Sequence, residues 1–147
     1  MRVVPGFDIK LRDGWHIAAH RQTPEFAEQT GNLVVHASTV PLRQDEGDFG
    51  SGVAERLGPD DLFCGFFEYD AASVGTALFT AQGLPRPRPS DFVVGAQQRA
   101  LPGQSGAQYF FTEAGRAWCL FVVLGGHSRR QPGAVRVGAL LKGIQIA

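Results

Sequence analysis

Histidines are the first residues to consider, because imidazole groups bind metals and act as general bases. His16 and His20 lie four residues apart in a run of strand-like composition. At roughly 3.3 Å per residue, they stand about 13 Å apart along one face of a strand, too far to share one ion. The chain has four histidines and no cysteine pair at metal-ligand spacing. The sequence therefore predicts no metal site and no cofactor, and both histidines are interpreted as surface residues.

Carboxylates and serines offer no recognisable catalytic arrangement either. The sequence contains no Gly-x-Ser-x-Gly, Gly-x-Gly-x-x-Gly, phosphate-binding loop or HExxH motif. The acidic cluster Asp45, Glu46 and Asp48 lacks the closing glutamate of a calcium loop, because the twelfth position counted from Asp45 is Arg56. Glu68 follows an apolar run, where burial could raise the pKa of its carboxyl and make it an acid or base. An exposed position at a strand end is the favoured interpretation of Glu68, and no catalytic residue is predicted.

One electropositive segment precedes the last predicted helix. It contains His127, Ser128, Arg129 and Arg130. Free N–H groups at a helix N-terminus attract anions, and two guanidinium groups add to that attraction. The sequence predicts an anion-binding site at these four residues. The alternative is that the two arginines are ordinary loop residues.

Two cysteines, Cys64 and Cys119, each lie within an apolar run. Free cysteine commonly behaves as a small buried hydrophobic residue. We therefore predict two buried thiols. A disulfide stays open as an alternative if the two runs form neighbouring strands.

Composition narrows the class of protein. A chain of 147 residues with 44% hydrophobic and 19% charged residues is typical of one globular domain, here residues 1–147. The formal net charge is zero, which argues against nucleic acid as a partner. No run approaches the roughly 20 apolar residues of a membrane span, and no leader-like segment opens the chain. These features predict a soluble cytoplasmic protein or, alternatively, a soluble fragment of an exported one.

The elements that must position these residues are mainly strands. The clearest is a hairpin over 107–124, in which two aromatic and β-branched runs flank a glycine-containing turn. Both runs are apolar on both faces, which predicts that something covers each side of the sheet. Alternation and turn residues predict a hairpin over 7–20. Further strands are predicted over 32–40, 61–69 and 92–99, and a short helix over 53–57.

The remaining chain contains an irregular segment and a late helix. Residues 70–91 are irregular and end in the Pro-rich run 84–89, predicted to be extended. Apolar residues at helical spacing predict an amphipathic helix over Val135–Leu141, followed by a short strand over 144–146. Together these patterns predict an α+β fold with a mainly antiparallel sheet of about six or seven strands. Helices, including the C-terminal amphipathic helix, are expected to pack on that sheet.

Two stretches carry a resemblance to a known family. The opening Gly6-Phe7-Asp8-Ile9 with Asp13-Gly14-Trp15 resembles the start of PsbP-like domains, whose fold is shared with the Ran-binding Mog proteins. The close is similar too, with a hairpin, a loop, a helix and a last strand. The whole chain also resembles uncharacterised actinobacterial proteins. The resemblance implies a PsbP-like sandwich and a mostly non-catalytic accessory or binding role. It carries no site residue over to this chain.

The sequence is therefore compatible with three functions. The first is a non-enzymatic binding or accessory module that acts through a surface on an unknown protein partner. The second is an enzyme of unrecognised type with a pocket near the 70–90 loop. The third is a homo-oligomeric structural protein, since a net charge of zero does little to oppose self-association.

Overall fold

The strands account for most of the architecture. The computed structural model describes residues 1–22, 31–44, 47–48, 50–97 and 101–147. These residues form nine strands and one α-helix: β1 Arg2–Val4, β2 Phe7–Ile9, β3 His16–Arg21, β4 Leu33–Ser38, β5 Leu62–Glu68, β6 Val93–Val94, β7 Ser105–Glu113, β8 Arg116–Leu124, α1 Arg130–Lys142 and β9 Ile144–Ile146.

Two antiparallel sheets organise these strands. The larger has six strands in the order β3-β4-β5-β8-β7-β6, and the smaller has the order β1-β2-β9. Every pairing between strands in either sheet is antiparallel. The prediction of a mixed α and β fold with a six-strand antiparallel sheet and a C-terminal helix is confirmed. The predicted short helix at 53–57 is a 3-10 turn, Ala54–Arg56.

The central hairpin is confirmed as β7 and β8. The two strands pair from Ser105 opposite Leu124 to Glu113 opposite Arg116. Ala114 and Gly115 form the connection, with φ of 54° and 72°. Positive φ at both central residues is the type I′ geometry, whose twist matches that of the two strands. The sequence signal was strong here because strand composition and turn chemistry agree.

The predicted hairpin over 7–20 is wrong. Phe7–Ile9 and His16–Arg21 form strands, but they belong to different sheets. The turn around Gly6, with φ of 84°, instead folds β2 back on β1. The other edge of β2 pairs with β9, where Phe7 is opposite Ile146. Both edges of β2 are therefore occupied, by β1 after a shorter turn and by β9 from the end of the chain. The Asp13-Gly14 turn does not bring β3 beside β2.

The predicted strand over 92–99 is also shorter than expected. Only Val93 and Val94 pair with β7, and Gly95 turns the chain away with φ of 83°. The end of the predicted strand, 98–99, lies outside the described residues. Further along β7, Gln108 is exposed, and Tyr109 and Phe110 are half-buried. The prediction that both hairpin strands are buried on both faces therefore holds for β8 and only partly for β7.

The first face of the large sheet carries the main core. Phe7 of the small sheet lies against Phe66 and Trp118, with ring centroids 5.5 and 5.7 Å apart. Trp118 is fully buried, as expected for a residue in the apolar second run of the hairpin. The helix α1 packs on the same core through Val137, Leu140 and other buried side chains. One face of the sheet is thus covered by the small sheet and by α1.

The second face carries a smaller core. Its buried members are Val34, Val53, Phe63, Phe67, Cys119, Phe121 and Val123. Phe79, from the irregular segment, packs against Tyr69 and Phe110 at centroid distances of 5.0 and 5.9 Å. The connections between strands, not helices, supply this cover. Both faces of β8 are therefore buried, as its apolar sequence predicts.

The helix α1 is longer and less amphipathic than predicted. It begins at Arg130, holds Pro132 in its first turn and ends before Gly143. Its outer side carries Val135, which is 69% exposed, beside charged residues. The contrast between its two faces is therefore weaker than the spacing of its apolar residues suggests. Within the described residues, no helix has the length and apolar character needed to cross a membrane.

Candidate functional site

The four residues of the predicted anion site form one turn, but Arg129 is already engaged there. His127–Arg129 is a 3-10 turn that leads into α1. Arg129 Nε donates to Asp60 Oδ1 at 2.8 Å, and Arg130 Nη1 donates to the His127 carbonyl at 3.1 Å. Ser128 is exposed. Because Asp60 already meets the charge of Arg129, an anion would have to compete with a carboxylate for that side chain.

Glu68, the candidate acid or base, forms an ion pair. Its two carboxylate oxygens accept from Arg116 Nε at 2.7 Å and Nη2 at 2.8 Å. Arg116 Nη1 also donates to the carbonyls of Gly6 and Ala147. The hydrogen bond and the charge of Glu68 raise the pKa of Arg116. The bidentate pair joins β5 to β8, and the Nη1 contacts of Arg116 join β8 to the ends of the small-sheet strands. Glu68 therefore has a structural role.

A histidine cluster that sequence reasoning missed lies on the second face of the sheet. His20 on β3 and His36 on β4 have ring centroids 5.8 Å apart. Both Nε2 atoms donate to Asp48: that of His20 to Oδ1 at 2.9 Å and that of His36 to the carbonyl at 3.0 Å. Gln22 donates to the second carboxylate oxygen. These contacts hold residue 48 against the sheet.

This cluster does not form a metal site within the part of the chain that the structure describes. No three His, Cys, Asp or Glu side chains among those residues have an arrangement that could hold an ion. His16 lies on the same face but pairs opposite Ser38, at the other end of β3. Asp45 and Glu46, from the predicted acidic cluster, lie outside the described residues. The hydrogen bonds from His20 and His36 to Asp48 are therefore interpreted as structural contacts that hold Asp48 on the sheet.

A different surface has the shape of a binding site, and the Pro-rich segment builds it. We call residues 84–87 the strap. The strap is fastened to β7 at its start, where Thr112 N donates to the Ala81 carbonyl and the Thr112 carbonyl accepts from Gly83 N, both at 2.8 Å. Thr112 Oγ1 also donates to the carbonyl of Phe79 at 2.7 Å. One buried threonine therefore holds the chain just before the strap.

The end of the strap is fastened to the same strand. Asp91 accepts from the hydroxyl of Tyr109 at 2.8 Å and from the backbone N–H of Arg88 at 3.0 Å. Burial, followed by the hydrogen bond to Asp91, raises the pKa of Tyr109, so its hydroxyl stays a donor. With both ends held and two prolines, Pro85 and Pro87, among its four residues, the strap has little conformational entropy left to lose on binding.

Between the strap and α1 lies an open groove of about 790 Å³. Its lining is mainly apolar and small, from Leu84, Ala134, Val135, Ala139, Leu141 and Ile144. A Cβ added at Gly138 would meet no atom within 4 Å, so this helix position faces open space. The volume is within the range of about 300–1,000 Å³ that is typical of small-molecule sites. We call this surface the strap–helix groove.

The charges at the strap–helix groove have one sign. Arg86 and Lys142 line it, and no carboxylate among the described residues does. In the described part of the chain, neither cation lies within ion-pair distance of an acidic group. The nearby Asp91 is engaged by Arg88 and Tyr109. The groove thus combines an apolar floor with two uncompensated positive charges.

Sequence reasoning missed this surface, although a signal was present. The arginines look scattered along the chain, but the acidic residues are not: residues 71–90 and 114–147 contain no Asp or Glu. These two acid-free segments supply the two walls of the groove. In a chain with a net charge of zero, the two charged residues that line the groove, Arg86 and Lys142, are therefore both cations.

Known proteins offer no further guide to this surface. Comparisons of the chain with protein-family models, with curated proteins and with solved structures find no match.

Proposed function

We propose that this chain is a non-catalytic binding module and that the strap–helix groove is its binding surface. The observation that carries the proposal is the groove itself: an apolar floor of ligand size with two cations, Arg86 and Lys142, that form no ion pair with an acidic group of the described residues. The ligand this arrangement favours has an apolar body and an acidic group. The double anchoring of the strap supports binding without a large conformational change.

The lining of the groove supports binding over catalysis. Apart from Arg86 and Lys142, the described residues that line it have aliphatic side chains or none. General acid–base or nucleophilic catalysis requires a titratable or nucleophilic side chain within reach of the substrate, and among the described lining residues only Lys142, which is exposed, could serve in that way. An enzyme with its pocket beside the 70–90 loop is therefore the less favoured function. Self-association through this surface is also disfavoured, because two copies would bring like charges together.

The proposal includes the PsbP-like sandwich that the sequence resembles. Three features support it: an antiparallel main sheet, a C-terminal helix on one face, and a last strand that joins the opening strands in a small sheet. Members of that family are mostly accessory or binding modules. Superposition of an experimental structure of this protein on a PsbP domain tests the assignment, and a different strand order would overturn it.

Heteronuclear NMR with small probes tests the function. We would titrate the labelled chain with cyclohexanecarboxylate, and with cyclohexylamine and cyclohexanecarboxamide as cationic and neutral controls. The carboxylate is expected to shift amide signals of 84–88 and 134–144 more than either control does. Shifts that cluster elsewhere, or equal shifts from all three probes, would overturn the proposal.

Two variants make this test specific. Gly138→Leu places a side chain in the open part of the groove at a helical position, so the carboxylate shifts should disappear while the melting temperature is retained. Gln131→Leu is the matched control, because position 131 is exposed on the same helix and does not line the groove. The control should shift as the parent does. If both variants respond alike, the shifts do not report on the groove.

A further inference from the structure

The hydrogen-bonding capacity of the strap–helix groove limits what it can hold. Pro85 and Pro87 have no backbone N–H, and the backbone of α1 is bonded within the helix. The other lining side chains, apart from the two cations, have no polar atoms. An extended peptide placed there would find backbone partners along the strap, at the Arg86 N–H and the carbonyls of 84–87, but its other edge would face the apolar side chains of α1. An alkyl chain has no hydrogen-bonding groups, so it can contact these apolar side chains without leaving a donor or acceptor unpaired.

The positive charge of the groove determines which head group the alkyl chain must carry. Arg86 presents a planar guanidinium, which binds a carboxylate with two parallel hydrogen bonds. Lys142 lies in the last turn of α1, where the negative end of the helix dipole already attracts its charge. Arg86 is therefore the stronger carboxylate partner, and Lys142 adds a weaker attraction. A cationic head group would be repelled by both.

The same charges disfavour a second copy of this chain that meets the first groove to groove. Another copy would present its own Arg86 and Lys142 together with the acid-free segment 114–147. Such a contact would leave positive charges facing each other without a carboxylate between them. An occupant of opposite charge is required.

Resting on the proposed function, we propose that the ligand of the strap–helix groove is a free long-chain carboxylate, an amphiphile with one alkyl chain and one acidic head group. Its chain lies on the floor formed by Ala134, Leu141 and Ile144 and passes the open position at Gly138. Its carboxylate pairs with Arg86. Only non-covalent contacts form, and no bond of the ligand changes.

Titration calorimetry tests the proposal with dodecanoate below its critical micelle concentration. We expect one molecule bound per chain, with affinity that rises about two- to fourfold per added methylene from octanoate to dodecanoate, since each buried methylene contributes up to about 0.8 kcal/mol. Dodecyltrimethylammonium and dodecyl maltoside should bind at least tenfold more weakly. Equal affinity for all three head groups would overturn the proposal, because it would indicate unspecific apolar binding.

Variants separate the parts of the site. Gly138→Leu and Arg86→Gln should each weaken dodecanoate binding by about tenfold or more. Gln131→Leu, and the double variant Arg2→Gln with Arg21→Gln, should leave it unchanged, since none of these positions lines the groove. If removing Arg2 and Arg21 weakens binding as much as removing Arg86 does, attraction is general to the protein's charge and the assigned head-group contact is wrong.

Vesicles distinguish a free carboxylate from a membrane surface. Flotation with phosphatidylglycerol vesicles should recover no protein. Co-flotation that Gly138→Leu abolishes would overturn the proposal in favour of lipid headgroups. If dodecanoate does not bind while cyclohexanecarboxylate still shifts groove amides, the long-chain ligand is wrong and the proposed function stands. If neither binds, both are wrong.

Discussion

Cys64 and Cys119 lie on neighbouring strands of the large sheet but on opposite faces. Cys64 is opposite Val122 on β8, and Cys119 is opposite Phe67 on β5. Cys64 belongs to the core beneath the small sheet and α1, whereas Cys119 belongs to the core of the second face. Side chains that leave a sheet in opposite directions cannot form a disulfide. The structure therefore has two free, buried thiols, as predicted, and the disulfide alternative is excluded.

Thiol titration should reflect this placement. In native protein we expect neither cysteine to react with a bulky thiol reagent, because Cys64 and Cys119 have 0% and 1% of their surface exposed. In denaturant both should react. Cys64→Ala and Cys119→Ala, each with one remaining cysteine, provide the control for the count. A native cysteine that reacts at the rate of the unfolded chain would contradict the described packing.

Alkaline pH should destabilise the fold through the same groups. Burial raises the pKa of Cys64 and of Cys119 to about 12, above the unfolded value of about 8.5. The folded state thus keeps protons that the unfolded state loses, so stability is full below about pH 8.5 and falls as pH rises toward 12.

Between about pH 9 and pH 10, each thiol contributes a loss of up to about 1.4 kcal/mol per pH unit. Urea unfolding at several pH values should show this slope. It should be flatter in Cys64→Ala, and an identical slope in parent and variant would contradict the prediction.

Trp118 should be the most costly single truncation in the hairpin. It is fully buried, and the Arg116 guanidinium lies 5.0 Å from its ring centroid. We expect Trp118→Ala to lower the free energy of unfolding by about 3–5 kcal/mol. Trp118→Phe should cost less than about 2 kcal/mol, because it keeps most of the ring and removes an indole N–H that has no acceptor among the described residues. Equal costs in denaturant unfolding would contradict this account.

A substitution in the turn of the same hairpin should raise the stability of the protein. Ala114 has φ of 54°, a conformation that is strained for alanine and favourable for asparagine. Ala114→Asn creates the Asn-Gly pair typical of type I′ turns and should raise stability by about 0.5–1 kcal/mol. Ala114→Val should lower it, because a β-branched residue resists positive φ. A stabilising valine, measured by thermal unfolding, would show that the turn has another geometry.

The predicted anion site at the start of α1 also remains open to test. Phosphate should raise the melting temperature beyond chloride at equal ionic strength, by a free energy of about 1.4 kcal/mol at ten times Kd. Because Asp60 holds Arg129 at 2.8 Å, Asp60→Asn should increase the effect. Replacing Arg129 and Arg130 by Gln should abolish it. An unchanged phosphate response in that double variant would show that the arginines are ordinary loop residues.

The sequence by itself determined the local elements. The β7–β8 hairpin, β4, β5 and the C-terminal helix with its last strand follow from apolar periodicity and turn chemistry, which act over a few residues. Burial of Trp118 follows from the same patterns. These predictions succeed because neighbouring residues along the chain supply the physical cause.

Only the tertiary structure decided which distant residues meet. The pairing of β2 with β9 depends on an edge contributed by the other end of the chain. The contact between His20 and His36 depends on strand register. The groove depends on two acid-free segments that come together when Thr112 and Asp91 fasten the strap near α1. Such contacts form because burying the apolar faces of both sheets in one core is favourable, and this brings distant parts of the chain together. The pattern of residues within one segment does not specify these partners.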